Sequence, residues 1–197
     1  MRSSAPPSHR ARHHGPALVT LVTLAAMATT ALGCDSSNGD DGDDIVGEGD
    51  PFPDVTVSDC DGNAVALRDW LASHDASYVT FGAGWCVACQ EEAPVINREL
   101  VDGLSERGDD VGVVQILIEN QPDEAPPQSL CADWRDDLQA RYAVLVDTRQ
   151  ENLAPFFGGA VGTLPLHLIV TGDGVVRLKK LGAIPTDIQA LVEGWLP

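Results

Sequence analysis

Short apolar runs alternate with longer mixed segments along most of the chain, which predicts both strands and helices. The predicted strands are Val55–Ser58, Ala64–Leu67, Tyr78–Ala83, Val111–Ile118, Val144–Val146, Leu166–Thr171 and Val175–Leu181. The predicted helices are Arg68–His74, Val87–Arg107 with a break at Pro94, Leu130–Tyr142, Glu151–Phe157 and Thr186–Trp195. Strands that alternate with helices and end in an antiparallel hairpin indicate an α/β fold, a three-layer sandwich whose mixed central sheet is flanked by helices.

The first 50 residues depart from this pattern. A basic stretch through Arg12 precedes the 16-residue apolar run Ala17–Leu32. A membrane-spanning helix needs about 20 apolar residues, so the run favours a signal peptide over residues 1–33. Residues 34–50 are acidic and glycine-rich, which predicts a flexible tether. We expect the folded domain to extend from Pro51 to Pro197, and an uncleaved membrane anchor is the alternative reading of the start.

The charge of the chain limits the partners that it can have. The formal net charge is −18 and the sequence pI is about 4.3. Binding of nucleic acid needs clustered lysine and arginine, and the sequence has no such stripe. The hydrophobic share of 44% is enough for the core of one domain of this length.

Two cysteines form a C-x-x-C motif between a predicted buried strand and a predicted helix. At the start of a helix, unpaired backbone N–H groups and the helix dipole stabilise a thiolate. Cys86 therefore becomes the predicted nucleophile, and Cys89, one turn deeper, the residue that resolves a mixed disulfide. A zinc knuckle is the alternative, but structural zinc usually has four ligands and no second ligand pair completes the set, so we predict no metal.

The sequence resembles the thioredoxin superfamily and, within it, the exported TlpA and ResA-like thiol-disulfide proteins. The resemblance rests on W-C-x-x-C at Trp85–Cys89, on Pro94, on Gly162–Pro165 before a hydrophobic strand, and on the turn Gly172–Gly174. It implies a thioredoxin-like fold and a thiol-disulfide oxidoreductase without a cofactor. The implied partners are protein thiols and disulfides and an upstream redox protein, and we expect a monomer.

The same resemblance assigns roles around the cysteine pair. It implies that Pro165 is a cis proline facing the disulfide and that Leu164 offers its backbone to an extended substrate, with Trp85 as a further substrate contact. Many thioredoxins carry a buried aspartate six residues before the first cysteine, where this chain has Thr80. Another acid or a water must then accept the proton of Cys89, and a surface carboxylate is favoured over Glu119 at the end of the central strand.

The stretch Ala31–Cys34 resembles the bacterial lipobox, in which the cysteine becomes the acylated first residue of a lipoprotein. The resemblance implies lipidation of Cys34 and an exported chain, anchored to a membrane and facing the periplasm or the cell exterior. The lipobox usually has leucine three residues before the cysteine, and this chain has Ala31 there. If Cys34 is lipidated, Cys60 and Cys131 remain, and they form either a structural disulfide or two free buried thiols.

Other functions compete with disulfide exchange. A thioredoxin-fold copper-delivery protein would bind Cu(I) through Cys86, Cys89 and His167, although a lone histidine on an apolar strand is more often a satisfied core residue. A peroxidase of the peroxiredoxin type would need threonine where Ala83 stands. An adhesive lipoprotein with a vestigial motif would show no disulfide reduction.

Overall fold

The computed structural model describes residues 45–104, 107–158 and 161–197. The predicted signal peptide, Cys34 and residues 34–44 of the predicted tether lie outside this part of the chain. Within it, no helix is both long and apolar enough to cross a membrane.

The described residues form a seven-stranded mixed sheet with the strand order β2-β1-β5-β4-β3-β6-β7. The strands are β1 (Thr56–Ser58), β2 (Ala64–Ala66), β3 (Ala76–Ala83), β4 (Val111–Glu119), β5 (Ala143–Val146), β6 (Leu166–Thr171) and β7 (Val176–Leu181). Strand β4 pairs in parallel with β3 and β5, whereas β6 pairs antiparallel with β3 and β7. Every residue of β3 and β4 is buried, as expected for central strands covered on both faces.

Helices cover both faces of the sheet. They are α1 (Leu67–Leu71), α2 (Val87–Ile96), α3 (Ser129–Asp137), α4 (Ala154–Phe157) and α5 (Ile188–Glu193). Buried apolar residues of α2, α3 and α5 belong to one hydrophobic cluster, and those of α1 and α4 belong to the other. The predicted thioredoxin-like three-layer sandwich, a mixed central sheet flanked by helices, is therefore confirmed.

The prediction of a helix broken at Pro94 is wrong. Helix α2 continues through Pro94 to Ile96, and residues Asn97–Asp102 follow directly as a π-helix. Proline removes only one helix hydrogen bond, and Ala93 and Ile96 on either side of it remain buried in the core.

The predicted helix Leu130–Tyr142 is also too long. Helix α3 ends at Asp137, and Gln139 has a φ of 51°. The left-handed region is incompatible with a continued α-helix. The N–H of Ala140 then donates to the carbonyl of Arg135 at 2.9 Å, which closes the end of the helix.

The chain packs on the domain before Pro51. Val46 is 5% exposed, and its N–H donates to the carbonyl of Pro155 at 2.8 Å. The N–H of Gly49 donates to the carbonyl of Val176 at 2.8 Å, and Glu48 accepts the N–H of Lys179 at 3.1 Å. Residues 45–50 of the predicted tether thus lie against the domain, because Val46 makes an apolar contact with it. The glycine-rich composition of the segment did not predict this contact.

Candidate active site

The two cysteines of the C-x-x-C motif lie where β3 ends and α2 begins. Cys86 and Cys89 form a disulfide and are 3% and 2% exposed. Cys86 is the N-cap of α2, and its sulfur accepts the N–H of Cys89 at 3.2 Å. Val87 between them is 64% exposed, so an apolar surface adjoins the bridge. The first sulfur therefore meets the unpaired N–H groups of the helix start, which favour negative charge there.

A glycine on β3 allows Cys89 to lie close to the sheet. A Cβ at Gly82 would be 3.2 Å from Cβ and 3.3 Å from Sγ of Cys89. It would also be 2.6 Å from Nε2 of Gln115, a buried side chain of the neighbouring strand. A side chain at Gly82 would therefore require Gln115 to move and would be in tighter than ordinary van der Waals contact with Cys89.

The predicted substrate-contact residues lie near the same edge of the sheet. Phe81 pairs with Leu166, so Pro165 is at the edge where β3 leads into the cysteine motif. The bond between Leu164 and Pro165 is cis, and the carbonyl of Pro165 accepts the N–H of Gly182 at 2.8 Å. Leu164 and Trp85 are half-buried and pack on the cluster that contains both cysteines.

Glu119 is engaged in structural hydrogen bonds. Its Oε2 accepts the indole N–H of Trp85 at 2.8 Å, and its Oε1 accepts the N–H of Asp123 at 3.2 Å. One carboxylate oxygen thus binds Trp85, the residue before Cys86, and the other binds Asp123 in the loop after β4. This arrangement orients Trp85.

A second carboxylate, which the sequence analysis missed, is buried on the same helix as the cysteine pair. Glu92 is one helical turn beyond Cys89, is 7% exposed, and accepts the N–H of Ile184 through Oε1 at 2.7 Å. Burial raises the pKa of Glu92 to about 7, against the opposing effects of that hydrogen bond and of Lys180. The helical spacing of Cys89, Glu92, Ala93 and Ile96 places the carboxylate on the apolar face of α2, which is a signal available in the sequence.

His167 lies fully buried on β6, facing the same interior. Its Nδ1 is 2.7 Å from the hydroxyl of Tyr78 and its Nε2 is 2.7 Å from the carbonyl of Gly182. Burial lowers the pKa of His167 to about 4, so the ring is neutral at pH 7. Copper binding would require one of these hydrogen bonds to break, and the described residues contain no cluster of three potential metal-ligating side chains.

Cys60 and Cys131, the other two cysteines among the described residues, form a second disulfide. The bridge joins Cys60, in the turn between β1 and β2, to Cys131 in α3 across a sequence separation of 71. Cys131 is fully buried, and its sulfur is 3.1 Å from the carbonyl of Val144 in β5. Of the two alternatives left open by the sequence, the structure contains the disulfide.

A disulfide at a helix start, on a thioredoxin-like sheet and near a cis proline, defines the class of thiol-disulfide oxidoreductase-like proteins. The family model described as Redoxin matches residues 47–193. The chain belongs to the Redoxin family, which supports redox activity in general.

Solved structures of low sequence identity share the fold. The thioredoxin domain of a thiol-disulfide oxidoreductase from Bacteroides vulgatus is 16% identical, covers 77% of this chain and 99% of its own, and has a TM-score of 0.60. An exposed lipoprotein thioredoxin of Streptococcus pneumoniae is 22% identical, with coverages of 73% and 98% and a TM-score of 0.55. A secreted disulfide oxidoreductase of Mycobacterium tuberculosis is 14% identical, with coverages of 72% and 96% and a TM-score of 0.55. A search of curated proteins found no match.

Proposed function

We propose that the chain is an exported thiol-disulfide oxidoreductase that exchanges disulfides with protein substrates through Cys86 and Cys89. The observation that carries this proposal is the position of Cys86 as the N-cap of α2, with its bonded partner one turn away. Trp85, Leu164 and Pro165 supply the surface for an extended substrate segment. The exposed Val87 extends that surface with an apolar contact.

In the reducing direction, the thiolate of Cys86 attacks one sulfur of a substrate disulfide, and the other substrate sulfur leaves as a thiolate that takes up a proton. Cys89 then loses its proton and attacks the sulfur of Cys86, which forms the Cys86–Cys89 bridge and expels the second substrate thiolate. Two electrons pass from the protein dithiol to the substrate disulfide. An upstream redox partner returns the protein to the dithiol state.

Glu92 is the best-placed group to accept the proton of Cys89. The carboxylate lies on the same buried face of α2, one turn further along, and a pKa of about 7 lets it bind and release a proton near neutral pH. Glu119 is less suited to this role because both of its oxygens already accept hydrogen bonds.

Export and anchoring form the second part of the proposal. The Cys60–Cys131 disulfide is typical of an oxidising compartment, and two of the structural relatives are described as a secreted protein and an exposed lipoprotein. We infer that residues 1–33 are a signal peptide and that acylation of Cys34 tethers the domain to the outer side of a membrane.

Substrate trapping tests the proposed function. A Cys89→Ser variant removes the resolving sulfur, so substrates should accumulate as mixed disulfides on Cys86, visible on non-reducing gels and lost on reduction. The matched Cys86→Ser variant should trap none, and neither variant should reduce insulin. Insulin reduction by Cys86→Ser at the rate of the unaltered chain would contradict the proposal.

A further inference from the structure

A chain of hydrogen bonds runs through the interior from Tyr78 on β3, through His167 on β6, to Gly182 after β7. The carbonyl of Gly182 can only accept, so Nε2 of His167 carries the ring proton and donates at 2.7 Å. Nδ1 then accepts from the hydroxyl of Tyr78 at 2.7 Å. Both ring nitrogens are thus satisfied in one neutral tautomer.

The same edge of the His167 ring also faces Glu92. Nε2 is 3.6 Å from Oε2 of Glu92, and the side chains of the two residues are 0% and 10% exposed. The other carboxylate oxygen accepts the N–H of Ile184, two residues after the Gly182 carbonyl that His167 binds. His167 therefore contacts the turn that anchors Glu92 and also presents an N–H dipole to the carboxylate itself.

We propose that His167 is a positioning residue for the resolving step, holding Glu92 and stabilising its ionised form so that it can accept the proton of Cys89. This inference rests on the proposed function of the cysteine pair. The histidine transfers no proton: the proton passes from Cys89 to Glu92, and the electron pair left on the Cys89 sulfur attacks Cys86. Oriented dipoles act strongly in such a water-excluded interior.

Other ionisable groups near Glu92 do not replace this dipole. Lys180 on β7 lowers the pKa of Glu92, but its side chain is exposed, so solvent screens it. Burial raises the pKa of Tyr142, which precedes β5, to about 12, and raises that of Tyr78 on β3 well above its usual value. Both tyrosines are therefore neutral at the pH of the reaction.

The test separates the two chemical steps with a small disulfide probe. The full-length chain with Cys34 replaced by serine is treated with limiting reductant, which opens the Cys86–Cys89 bridge and leaves the Cys60–Cys131 bridge closed. It is then mixed with dithiobis-nitrobenzoate in the presence of a metal chelator, and release of thionitrobenzoate is followed by absorbance. The first release reports attack by Cys86, and the second reports attack by Cys89 on the mixed disulfide. The pH dependence of the second release reports the group that accepts the proton.

Replacing His167 by leucine should make the second release slower, on the order of fivefold at pH 7, and shift its pH profile to higher pH by about one unit. The first release should keep its rate. His167→Gln should retain the profile of the unaltered chain, because its amide can donate to Gly182 and accept from Tyr78. In a Glu92→Gln background, His167→Leu should cause no further change.

Loss of the histidine removes the group that accepts the proton of the buried Tyr78 hydroxyl. A second comparison, Tyr78→Phe against Tyr78→Phe combined with His167→Leu, removes that hydroxyl and keeps the test decisive if His167→Leu fails to fold. An unchanged second-release profile in the leucine variants, or an equal slowing in the Glu92→Gln background, would overturn the role of His167. Absence of any second release in the unaltered chain would instead overturn the proposed function.

Discussion

At the scale of single residues, the buried Glu92 links the chemistry of the site to stability. Its pKa rises from the ordinary 4.5 to about 7 on folding, so the folded state holds the proton more tightly than the unfolded state between these values. By the linkage relation, this group contributes stability that is full below pH 4.5 and is lost as the pH rises through about 7.

We therefore predict that Glu92→Gln removes a pH-dependent loss of stability. Relative to the unaltered chain, the variant should gain on the order of 2 kcal/mol between pH 4.5 and pH 8, measured by urea unfolding of the oxidised protein. Glu91→Gln removes the same charge from the exposed neighbour and should show no such gain. Parallel curves for the two variants would contradict the burial of an ionisable Glu92.

A second residue-scale prediction concerns Gly82, whose missing side chain lets Cys89 approach the sheet. Gly82→Ala places a methyl group 2.6 Å from Gln115 and 3.3 Å from the sulfur of Cys89, and should cost about 1–3 kcal/mol of unfolding free energy. Gly162→Ala has open space around its Cβ and should be nearly neutral. Equal urea midpoints for the two variants would contradict the close packing.

The residues of the proposed site differ in how clearly the sequence marks them. The C-x-x-C motif and Pro165 can be identified from the sequence because they occupy fixed places between predicted elements. Glu92 was missed because a glutamate in a helix is ordinarily solvent-exposed, and only its spacing from Cys89 and Ile96 marks it as interior. The contacts of His167 join β3, β6 and the turn after β7, and such long-range pairings are invisible along the chain.

At the scale of secondary-structure elements, the disulfide between Cys60 and Cys131 fastens the edge hairpin to α3. Strand β1 pairs with β5 only through Ser58 and Val146, so the sheet offers little hydrogen bonding at this edge. The covalent bridge compensates for that short ladder.

Replacing both Cys60 and Cys131 by alanine should lower the unfolding free energy by about 2–4 kcal/mol, because the unfolded chain regains the freedom that a long closed loop removes. Urea unfolding of the oxidised chain measures the loss. The rate of insulin reduction at 25 °C should stay unchanged, since neither cysteine belongs to the exchange site. Undiminished unfolding free energy would contradict the stabilising role of this bridge.

The predicted bounds of the strands agreed with the structure because short apolar runs marked those strands in the sequence. Both hairpins and the central strands were found within about two residues, because buried strands need consecutive apolar side chains. Helix ends were less accurate: α3 stops early because Gln139 adopts a left-handed conformation, and α2 passes through Pro94 into a π-helix. Such endings depend on local backbone geometry that composition does not reveal.

At the scale of the whole molecule, the proposed anchoring connects the domain to a membrane through residues outside the described part. Cys34→Ser should move the chain from the membrane fraction to the soluble fraction and abolish labelling by radioactive palmitate. Insulin reduction by the released domain should be unchanged. Continued membrane association of the variant would indicate an uncleaved anchor instead.

The overall fold was predictable because alternating strands and helices with a closing hairpin allow few arrangements. The start of the domain was harder to predict from the sequence. Val46 and Glu48 lie against β7 and α4 although they follow an acidic, glycine-rich stretch. One buried valine and a few backbone hydrogen bonds are enough to order such a segment, and they leave no periodic pattern.

The proposed disulfide exchange depends most directly on the ionisation of Cys86 in the reduced chain. Its rate of alkylation by iodoacetamide, followed across pH by peptide mass spectrometry, should reach half its maximum at least about one pH unit below the value of roughly 8.5 typical of free cysteine. This result is expected because Cys86 caps α2, where the helix start favours a thiolate. A half-maximum at or above the free-cysteine value would contradict the central claim.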